Sequence, residues 1–343
     1  MQYRKLGNSG AVVTNLCLGT MTFGAEADET TSHTLIDDYV AAGGNFLDTA
    51  DVYSTGTSEE IIGRWLKANP AKRDGLVIAT KGRFPMGQGP NDLGLSRKHL
   101  GLALDNSLKR LGIEQIDLYQ MHAWDALTPL EETLRFLDDA IRAGKIAYYG
   151  FSNYLGWQIS KAVWMAKAEG FAAPVTLQPQ YNLLVRDIEH EVIPACQDAG
   201  IGLLPWSPLG GGWLSGKYKR DQQPEGATRL GENPKRGMEA YDKRNAQERT
   251  WDIIGAVEDI AKSRGVSMAQ VALAWTAAQP AVTSVILGAR TREQLQDNLG
   301  AGSLDLSDEE LKRLDKISKP QMSDYPYGTG GINQRNRKIE GGR

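Results

Sequence analysis

The chain has 343 residues, of which 41% are hydrophobic and 24% charged, so it can bury a large core as one big domain or two small ones. Its formal net charge of −3 argues against nucleic acid or an anionic membrane as the main partner. Cys17 and Cys196 stand in apolar segments without metal-ligand spacing, and no signal peptide or apolar run of about eighteen residues occurs. We therefore expect a cytoplasmic protein with reduced thiols and no membrane span.

Strand signals begin with a hairpin and continue through the whole chain. Gly7–Gly10 separates two short extended segments, Tyr3–Leu6 and Ala11–Val13, which is typical of a β-hairpin. Short apolar runs bounded by polar or glycine residues then recur and predict eight further strands. These runs are Leu16–Thr20, Asn45–Asp48, Leu76–Lys81, Ile116–His122, Ile146–Phe151, Val175–Gln178, Ile201–Trp206 and Thr283–Leu287.

Helical spacing of apolar residues predicts a helix after most of these strands. The first runs over Glu29–Ala42. Thr57 and Glu60 predict a capping box for the second, and Thr128 is expected to cap the fourth with Pro129 in its first turn. The third carries leucines on one face, at Leu100, Leu104, Leu108 and Leu111. Two further helices are expected near the end, over Ser267–Ala278 and Ser307–Ile317.

Eight strand–helix units of roughly thirty to forty residues fit a closed (β/α)8 barrel or a doubly wound sheet. The strands are short, and no Gly-x-Gly-x-x-Gly follows the first one, which favours the TIM barrel. The N-terminal hairpin would close its bottom. We expect one barrel domain over residues 1–320 with extra helices, a long polar loop over 207–245 at the catalytic face, and a polar tail over 321–343.

Four reactive side chains stand at or just past the ends of three predicted strands. They are Asp48, Tyr53, Lys81 and His122. Because the carboxyl ends of parallel strands meet at one face of a barrel, we expect a carboxylate, a phenol, an ammonium and an imidazole to lie together there. This set of groups is suited to moving a proton.

The motifs around these residues resemble those of the aldo-keto reductases, from the hairpin to about Ile317. The likeness is greater to the bacterial and potassium-channel β-subunit branch than to the aldose-reductase branch, because the loop after His122 is short and a Gly-Ala-Arg motif stands near the end. The matching segments are Gly43–Tyr53, Lys81, His122, Gly150–Asn153, Ser207–Gly210, and Gly288–Arg290 with Gln294 and Asn298.

The resemblance implies an NADPH-dependent oxidoreductase that reduces aldehydes or ketones to alcohols without a metal. A carbonyl that accepts a hydride develops negative charge on oxygen and needs a proton donor. Tyr53 is the candidate donor, and Lys81 is expected to lower its pKa from the usual value of about 10. Asp48 would pair with Lys81, and His122 would orient the carbonyl oxygen by a hydrogen bond.

The resemblance also implies where the cofactor binds. Ser152, Asn153 and Gln178 should hydrogen-bond the nicotinamide carboxamide, Trp206 should stack on its ring, and the backbone of Ser207–Gly212 should contact the pyrophosphate. The full set of expected cofactor-binding residues is Gly19, Thr20, Met21, Asp48, Ser152, Asn153, Gln178, Trp206, Ser207, Pro208, Leu209, Gly210, Gly212, Lys217, Leu287, Gly288, Ala289, Arg290, Gln294 and Asn298.

Coenzyme choice is where the sequence departs from the aldose-reductase pattern. That branch has a lysine where Gly288 stands and an arginine where Gln294 stands, and both serve the 2′-phosphate. Arg290 can replace that charge, next to a capping box formed by Thr291 and Gln294. We expect NADPH to be preferred, with NADH as a weaker alternative.

The substrate is less well defined by the sequence. Phe23, Phe84 and Trp124 follow predicted strands and would wall an apolar pocket beside Tyr53 and His122, which favours a hydrophobic or aromatic carbonyl compound. Trp213 and Tyr218 in the long loop would close that pocket. The oligomeric state, the physiological substrate and the preferred reaction direction are not defined by these patterns.

Two alternatives from other functional classes stay open. One is a nucleotide-sensing regulatory subunit with slow reductase activity, because channel β-subunits share these motifs. The other, less favoured, is a Schiff-base lyase or aldolase that uses Lys81, which leaves the motifs near Trp206 and Arg290 without a role.

Overall fold

The computed structural model describes residues 1–226, 228–233, 235 and 239–328 of the chain. Residues 329–343, most of the expected tail, lie outside the described residues, as do residues 227, 234 and 236–238 of the long loop. The described tail residues, 321–328, form neither helix nor strand. Within the described ranges, no helix is long and apolar enough to span a membrane.

The predicted N-terminal hairpin is confirmed. Strands β1 (Tyr3–Lys5) and β2 (Val12–Thr14) pair antiparallel. Leu6 and Val13 are fully buried against residues from the bottom of the sheet. Arg4 donates from Nη1 to the carbonyl oxygens of Ala277 (2.7 Å) and Val282 (2.8 Å), so the hairpin is joined to the last strand–helix unit.

Eight parallel strands follow and form the barrel. The first seven pair in chain order, each with the next, and the eighth pairs with the first, since Val285 lies opposite Leu16. Bonds from Thr283 N to Leu203 O (2.9 Å) and from Ile286 N to Pro205 O (3.0 Å) close the remaining seam. The strands are β3 (Leu16–Gly19), β4 (Phe46–Asp48), β5 (Val77–Gly82), β6 (Ile116–Met121), β7 (Ile146–Ser152), β8 (Thr176–Gln178), β9 (Gly202–Leu203) and β10 (Val285–Leu287). The (β/α)8 barrel is therefore confirmed and the doubly wound sheet excluded.

Helices surround this barrel and bury their apolar stripes against it. They are α1 (Glu29–Ala41), α2 (Thr57–Ala68), α3 (Arg97–Leu111), α4 (Leu130–Arg142), α5 (Gly156–Glu169), α6 (Val192–Ala199), α7 (Arg229–Glu232), α8 (Tyr241–Asn245), α9 (Glu248–Arg264), α10 (Met268–Ala278), α11 (Arg292–Leu299) and α12 (Asp308–Ser318). The two extra helices expected near the C-terminal end are α10 and α12.

Two of the predicted helix starts are wrong. Gly56, with a φ of 95°, ends a 3₁₀ turn and is the N-cap of helix α2. Thr57 therefore already lies inside the helix, and its side chain does not cap the helix end. Helix α4 starts after Pro129, and the Thr128 hydroxyl instead donates to Asp125 Oδ2 at 2.6 Å. In both places the connection that precedes the helix, rather than the local sequence motif, decides where the helix begins.

The long loop is more ordered than its polar composition suggests. Residues Gly210–Ser215 form a 3₁₀ turn, and the short helices α7 and α8 follow. Trp213 is fully buried and its ring contacts those of Tyr218 and Tyr241. Trp213 is thus the centre of the loop's own small core. The expectation that it closes the pocket is wrong, because it does not line the cavity.

The contact between α2 and α3 provides a test of packing. A Cβ added to Gly63 in α2 would lie 2.2 Å from the backbone oxygen of Arg110 in α3. Because backbone cannot yield as a side chain does, Gly63→Ala should destabilise the protein by about 1–3 kcal/mol. The measurement is the shift of the thermal or urea unfolding midpoint.

Gly255 in α9 offers the matched control for that substitution. A Cβ there meets nothing within 4 Å. Gly255→Ala should therefore stabilise the protein by up to about 1 kcal/mol through helix propensity alone. Equal shifts for the two variants would show that close packing does not require glycine at position 63.

Candidate active site

The structure brings together the four reactive side chains predicted from the sequence. Asp48 ends β4, Lys81 lies in β5, and His122 directly follows β6. Lys81 Nζ donates to Asp48 Oδ2 at 2.6 Å, to the Thr49 carbonyl oxygen at 2.6 Å and to the Tyr53 hydroxyl at 3.3 Å. The rings of Tyr53 and His122 meet edge to face with centroids 5.9 Å apart. The four groups thus form one contiguous cluster.

A tight turn after β4 brings Tyr53 to this cluster. The 3₁₀ turn Tyr53–Gly56 contains two non-glycine residues in the left-handed region, Ser54 (φ 48°) and Thr55 (φ 54°). Such conformations are costly for residues with a Cβ and concentrate at functional sites. The turn holds the Tyr53 ring with Lys81 Nζ 4.8 Å from its centroid.

Burial dominates the electrostatics of the Tyr53–Lys81 pair. Burial raises the pKa of Tyr53 above its usual value, and the Lys81 ammonium opposes this rise. The net direction is opposite to the lowering expected from the sequence, although Lys81 acts in the expected sense. Burial alone would lower the pKa of Lys81, but Asp48 and Tyr53 outweigh it and the pKa is raised. Lys81 therefore stays an ammonium ion.

His122 is neutral in this environment. Burial, together with the positive charges of Lys81 and Arg83, lowers the pKa of its imidazole to about 2. A neutral imidazole can donate one hydrogen bond to a substrate oxygen while adding no charge to the site. The Phe84 ring packs against the imidazole with centroids 4.6 Å apart.

Two glutamines hold the Asp48 carboxylate from the inner wall of the barrel. Gln120 Nε2 and Gln178 Nε2 both donate to Asp48 Oδ1, at 3.0 and 2.9 Å. Sequence reasoning missed Gln120, although its register opposite Lys81 in the neighbouring strand would have placed it inside the barrel. Gln178, expected to contact a carboxamide, here also orients Asp48. Asp48 is therefore fixed by three donors, two amides and one ammonium.

A cavity of about 390 Å³ opens from this cluster along the top of the barrel. It is lined by every residue predicted to bind the cofactor except Gly210; the left-handed Gly211 that follows takes part in its place. Lys81 lies behind Tyr53 and Asp48 and is fully buried. The lining residues for which the sequence indicated no role are Thr22, Glu26, Ser215, Thr228, Leu273 and Ile286, and Tyr218, expected to close the pocket, also lines it.

Asn153 joins three strand ends beside the cavity. Its backbone is left-handed, with φ 58°, which asparagine tolerates better than most residues. Its Nδ2 donates to the His122 carbonyl oxygen at 3.0 Å, and its Oδ1 accepts from Trp206 Nε1 at 3.0 Å. The neighbouring Ser152 hydroxyl donates to the Gln178 carbonyl oxygen at 2.8 Å. These bonds hold the Trp206 ring at the cavity wall.

At the far end of the cavity, Arg290 is engaged by two carboxylates. Its guanidinium donates to Glu232 of α7 at 2.8 and 3.2 Å and to Glu26 at 3.2 Å. Arg292, by contrast, pairs with Asp38 outside the cavity, as expected for a solvent-facing side chain.

Helix α11 starts next to this arginine. Thr291 accepts from Gln294 N, as predicted for its cap, but Gln294 Oε1 accepts from Arg290 N. The cavity therefore ends at a helix N terminus, which favours an anion, beside an arginine that is paired with Glu26 and Glu232.

The predicted substrate aromatics separate in the structure. Phe84 lies against His122, and Trp124 contacts the rings of Tyr154 and Trp157, at centroid distances of 5.3 and 5.5 Å. Phe23 is fully buried in the main hydrophobic core and does not line the cavity. Phe23 follows β3 in sequence, but two hydrogen bonds hold it beneath the 3₁₀ turn Tyr53–Gly56. Its N–H donates to Thr20 O, and its carbonyl oxygen accepts from Ser54 Oγ.

Comparison of the sequence with known proteins identifies the family. The family model described as "Aldo/keto reductase family" matches residues 15–319. An uncharacterized oxidoreductase, YrpG, of Bacillus subtilis is 38% identical over 92% of this chain and 96% of its own length. A probable voltage-gated potassium channel subunit beta of Oryza sativa subsp. japonica is 38% identical over 94% of this chain and 99% of its own. Versiconal hemiacetal acetate reductase of Aspergillus parasiticus is 34% identical over 94% of this chain and 98% of its own. The chain belongs to the aldo/keto reductase family.

Proposed function

We propose that the protein is an NADPH-dependent reductase of aldehydes and ketones that works in the cytoplasm. One observation carries the proposal. A single cavity runs from a tyrosine hydroxyl held by a buried ammonium to a helix N terminus beside an arginine. The first end suits proton transfer, and the second suits an anionic nucleotide.

The residues at the first end divide the work of carbonyl reduction among them. Tyr53 donates its proton to the carbonyl oxygen as negative charge develops there, and Lys81 stabilises the phenolate that remains. Asp48, itself held by the two glutamines, keeps Lys81 charged and in place. The neutral His122 orients the carbonyl oxygen by a hydrogen bond. A reduced nicotinamide dinucleotide bound in the cavity supplies the hydride.

The remaining cavity residues fit that dinucleotide. Ser152, Asn153 and Gln178 offer polar groups for the carboxamide, and the Trp206 ring at the wall offers a stacking surface. The backbone of residues 207–212, with left-handed Ser207, Gly211 and Gly212, can approach a pyrophosphate closely. Leu287 to Arg290, with Gln294 and Asn298, would hold the adenosine end.

A Schiff-base mechanism fits poorly. All three hydrogen-bond donors of the Lys81 ammonium have partners, and its pKa is raised, whereas a nucleophilic lysine needs a neutral amine. Borohydride reduction in the presence of a carbonyl substrate should leave no adduct on Lys81. An adduct found there by mass spectrometry would favour the aldolase alternative.

A nucleotide-sensing regulatory subunit is the second candidate, favoured by the similarity to proteins named as potassium channel subunits beta. A steady-state assay with NADPH or NADH and a panel of aldehydes and ketones distinguishes it from the reductase. Sustained multiple turnover with at least one carbonyl compound is the expected result. Tight cofactor binding with turnover near zero across the panel would overturn the reductase proposal in favour of the regulatory one.

The coenzyme preference can be tested at Arg290. A charge-assisted contact to phosphate is worth about 1.5–3 kcal/mol, or roughly tenfold to a hundredfold in affinity. Because Glu26 and Glu232 compete for the same guanidinium, the lower figure applies. Arg290→Ala should raise the dissociation constant for NADPH about tenfold and change that for NADH much less. Quenching of tryptophan fluorescence, to which Trp206 at the cavity wall contributes, provides the measurement.

Arg292→Ala is the matched control for this prediction. Arg292 is also an arginine in an ion pair, but it lies outside the cavity. Its removal should leave the affinity for both coenzymes within about twofold, since a screened surface pair contributes little. Equal losses for NADPH and NADH on removing Arg290 would mean that its guanidinium contacts a part common to both coenzymes.

A further inference from the structure

Asp51 is a buried carboxyl group that the proposed mechanism does not use. In the sequence it stands between Asp48 and Tyr53, and its backbone N–H donates to the Lys81 carbonyl oxygen at 3.1 Å. Its side chain is fully buried, and among the described residues neither carboxyl oxygen has a hydrogen-bond partner. A buried carboxylate without a partner is unfavourable, and such a group neutralises by keeping its proton.

Within the described ranges, the groups around Asp51 give it no cation of its own. Glu59 of α2, also fully buried, accepts from Thr80 Oγ1 at 2.5 Å and from Arg110 Nε at 2.7 Å. Arg110 therefore neutralises Glu59, while Lys81 is held by Asp48. The titratable and charged groups that face Asp51 from the adjoining turn, α2, β5, α3 and β6 are Tyr53, Glu59, Lys81, Arg110 and Tyr119.

We propose that Asp51 is a positioning residue that controls Tyr53 through its charge. It carries a proton below neutral pH. When it loses this proton at higher pH, the new negative charge makes Tyr53 hold its own proton more strongly. The inference rests on the proposed role of Tyr53 as proton donor.

The proton equilibria of the two groups support this coupling. Burial raises the pKa of Asp51 to about 7, and the charge of Glu59 adds to the rise. The dipole of the neighbouring Val52 N–H, which makes no full hydrogen bond with the carboxyl group, and the charges of Arg110 and Lys81 oppose it. Burial also raises the pKa of Tyr53; Lys81 opposes that rise, and the charges of Asp48 and Asp51 add to it. Ionisation of Asp51 above neutral pH therefore extends the range in which Tyr53 is protonated.

The first test measures stability and is independent of activity. The unfolded chain releases the Asp51 proton near pH 3.8 and the folded protein near pH 7. Folding thus takes up a proton between these values, and Asp51 makes the protein progressively less stable as pH rises through that window. Asp51→Asn should therefore gain in melting temperature relative to wild type from about pH 4 to about pH 7, and the gain should stay constant above.

Two further variants make this result decisive. Asp51→Ala should give the same pH-dependent gain on top of a constant loss from the cavity it leaves, which covers the case in which one variant folds poorly. Glu310→Gln should change stability in the opposite direction to the Asp51 variants. The hydrogen bond from Arg264 lowers the pKa of Glu310 to about 2, so the ionised Glu310 stabilises the folded protein. That variant should be less stable than wild type at neutral pH. A difference between wild type and both Asp51 variants that does not change with pH would overturn the proposal.

The second test measures the pH dependence of carbonyl reduction. Without the Asp51 charge, Tyr53 loses its proton at lower pH, so the alkaline limb of kcat/KM in Asp51→Asn should move measurably to lower pH. A merely structural role would change the rate without moving this limb. An alkaline limb at the wild-type position, in a variant that shows the stability gain, would mean that Asp51 is protonated but not coupled to Tyr53, and the proposal would fail.

This failure is distinguishable from failure of the proposed function. If Tyr53→Phe abolishes reduction and the limb of Asp51→Asn does not move, only the inference about Asp51 is wrong. If Tyr53→Phe retains its rate, the proton donor lies elsewhere, and the role of Asp51 falls with it. The melting-temperature result reports the protonation of Asp51 in either case.

Discussion

Tyr53→Phe should reduce the turnover of carbonyl compounds by at least about two orders of magnitude, the usual contribution of a general acid. The change removes one oxygen atom and leaves the ring packed against His122 and beneath Lys81. The affinity for NADPH should change little, because the proposed contacts to the coenzyme come from other residues. Steady-state kinetics and coenzyme titration by tryptophan fluorescence measure the two effects separately.

Tyr119→Phe is a control for this substitution. Tyr119 is also a fully buried tyrosine of the barrel wall, but it does not line the cavity, and its hydroxyl has no hydrogen-bond partner in the described part of the chain. Its loss should leave turnover within a few-fold of wild type. More than about a tenth of wild-type turnover in Tyr53→Phe would remove Tyr53 from the mechanism.

Lys81→Met should lower the rate by a comparable factor and shift its pH dependence. The Lys81 ammonium opposes the rise of the Tyr53 pKa caused by burial, so its removal should move the alkaline limb of the rate profile upward. This direction is opposite to that expected for Asp51→Asn. The limb reports the coupled pair rather than either residue alone. An unchanged limb with measurable chemistry would contradict the role of Lys81.

The stability of the Lys81 variant needs its own control. Removing Lys81 leaves the Asp48 carboxylate buried without a counter-charge, at a cost of about 3–5 kcal/mol. The double variant Asp48→Asn, Lys81→Met removes both charges and should recover part of this stability. If both variants unfold at the same temperature, Asp48 carries no destabilising charge in the single variant.

The fold could be predicted from the sequence because its signals are local. Alternation of short apolar runs with helical stripes, and the missing glycine fingerprint after the first strand, were sufficient to favour the barrel. Helix starts were less predictable, since Gly56 and Pro129 at the preceding positions decide where α2 and α4 begin. A capping motif describes what can stabilise a helix end, whereas the connection fixes where that end lies.

The site was predictable where residues stand at strand ends and unpredictable where they support others. Asp48, Tyr53, Lys81 and His122 meet because parallel strands end at one face of the barrel. Gln120 was missed because a polar residue inside a strand gives no sign of its partner until the register is known. Asp51 was passed over because its burial depends on how α2 and α3 pack on the barrel wall.

The seam of the barrel has a consequence for biosynthesis. Leu16 in the first barrel strand pairs with Val285 in the last, and Arg4 is held by carbonyl oxygens at Ala277 and Val282. A ribosome delivers the amino-terminal segment first, but Val285 and these two carbonyl groups emerge only when most of the chain has been translated. Leu6 and Val13 belong to a buried cluster that includes Leu204 and Ile286, so this cluster too is complete only late in translation. The first residues to be synthesised are among the last to reach their final positions.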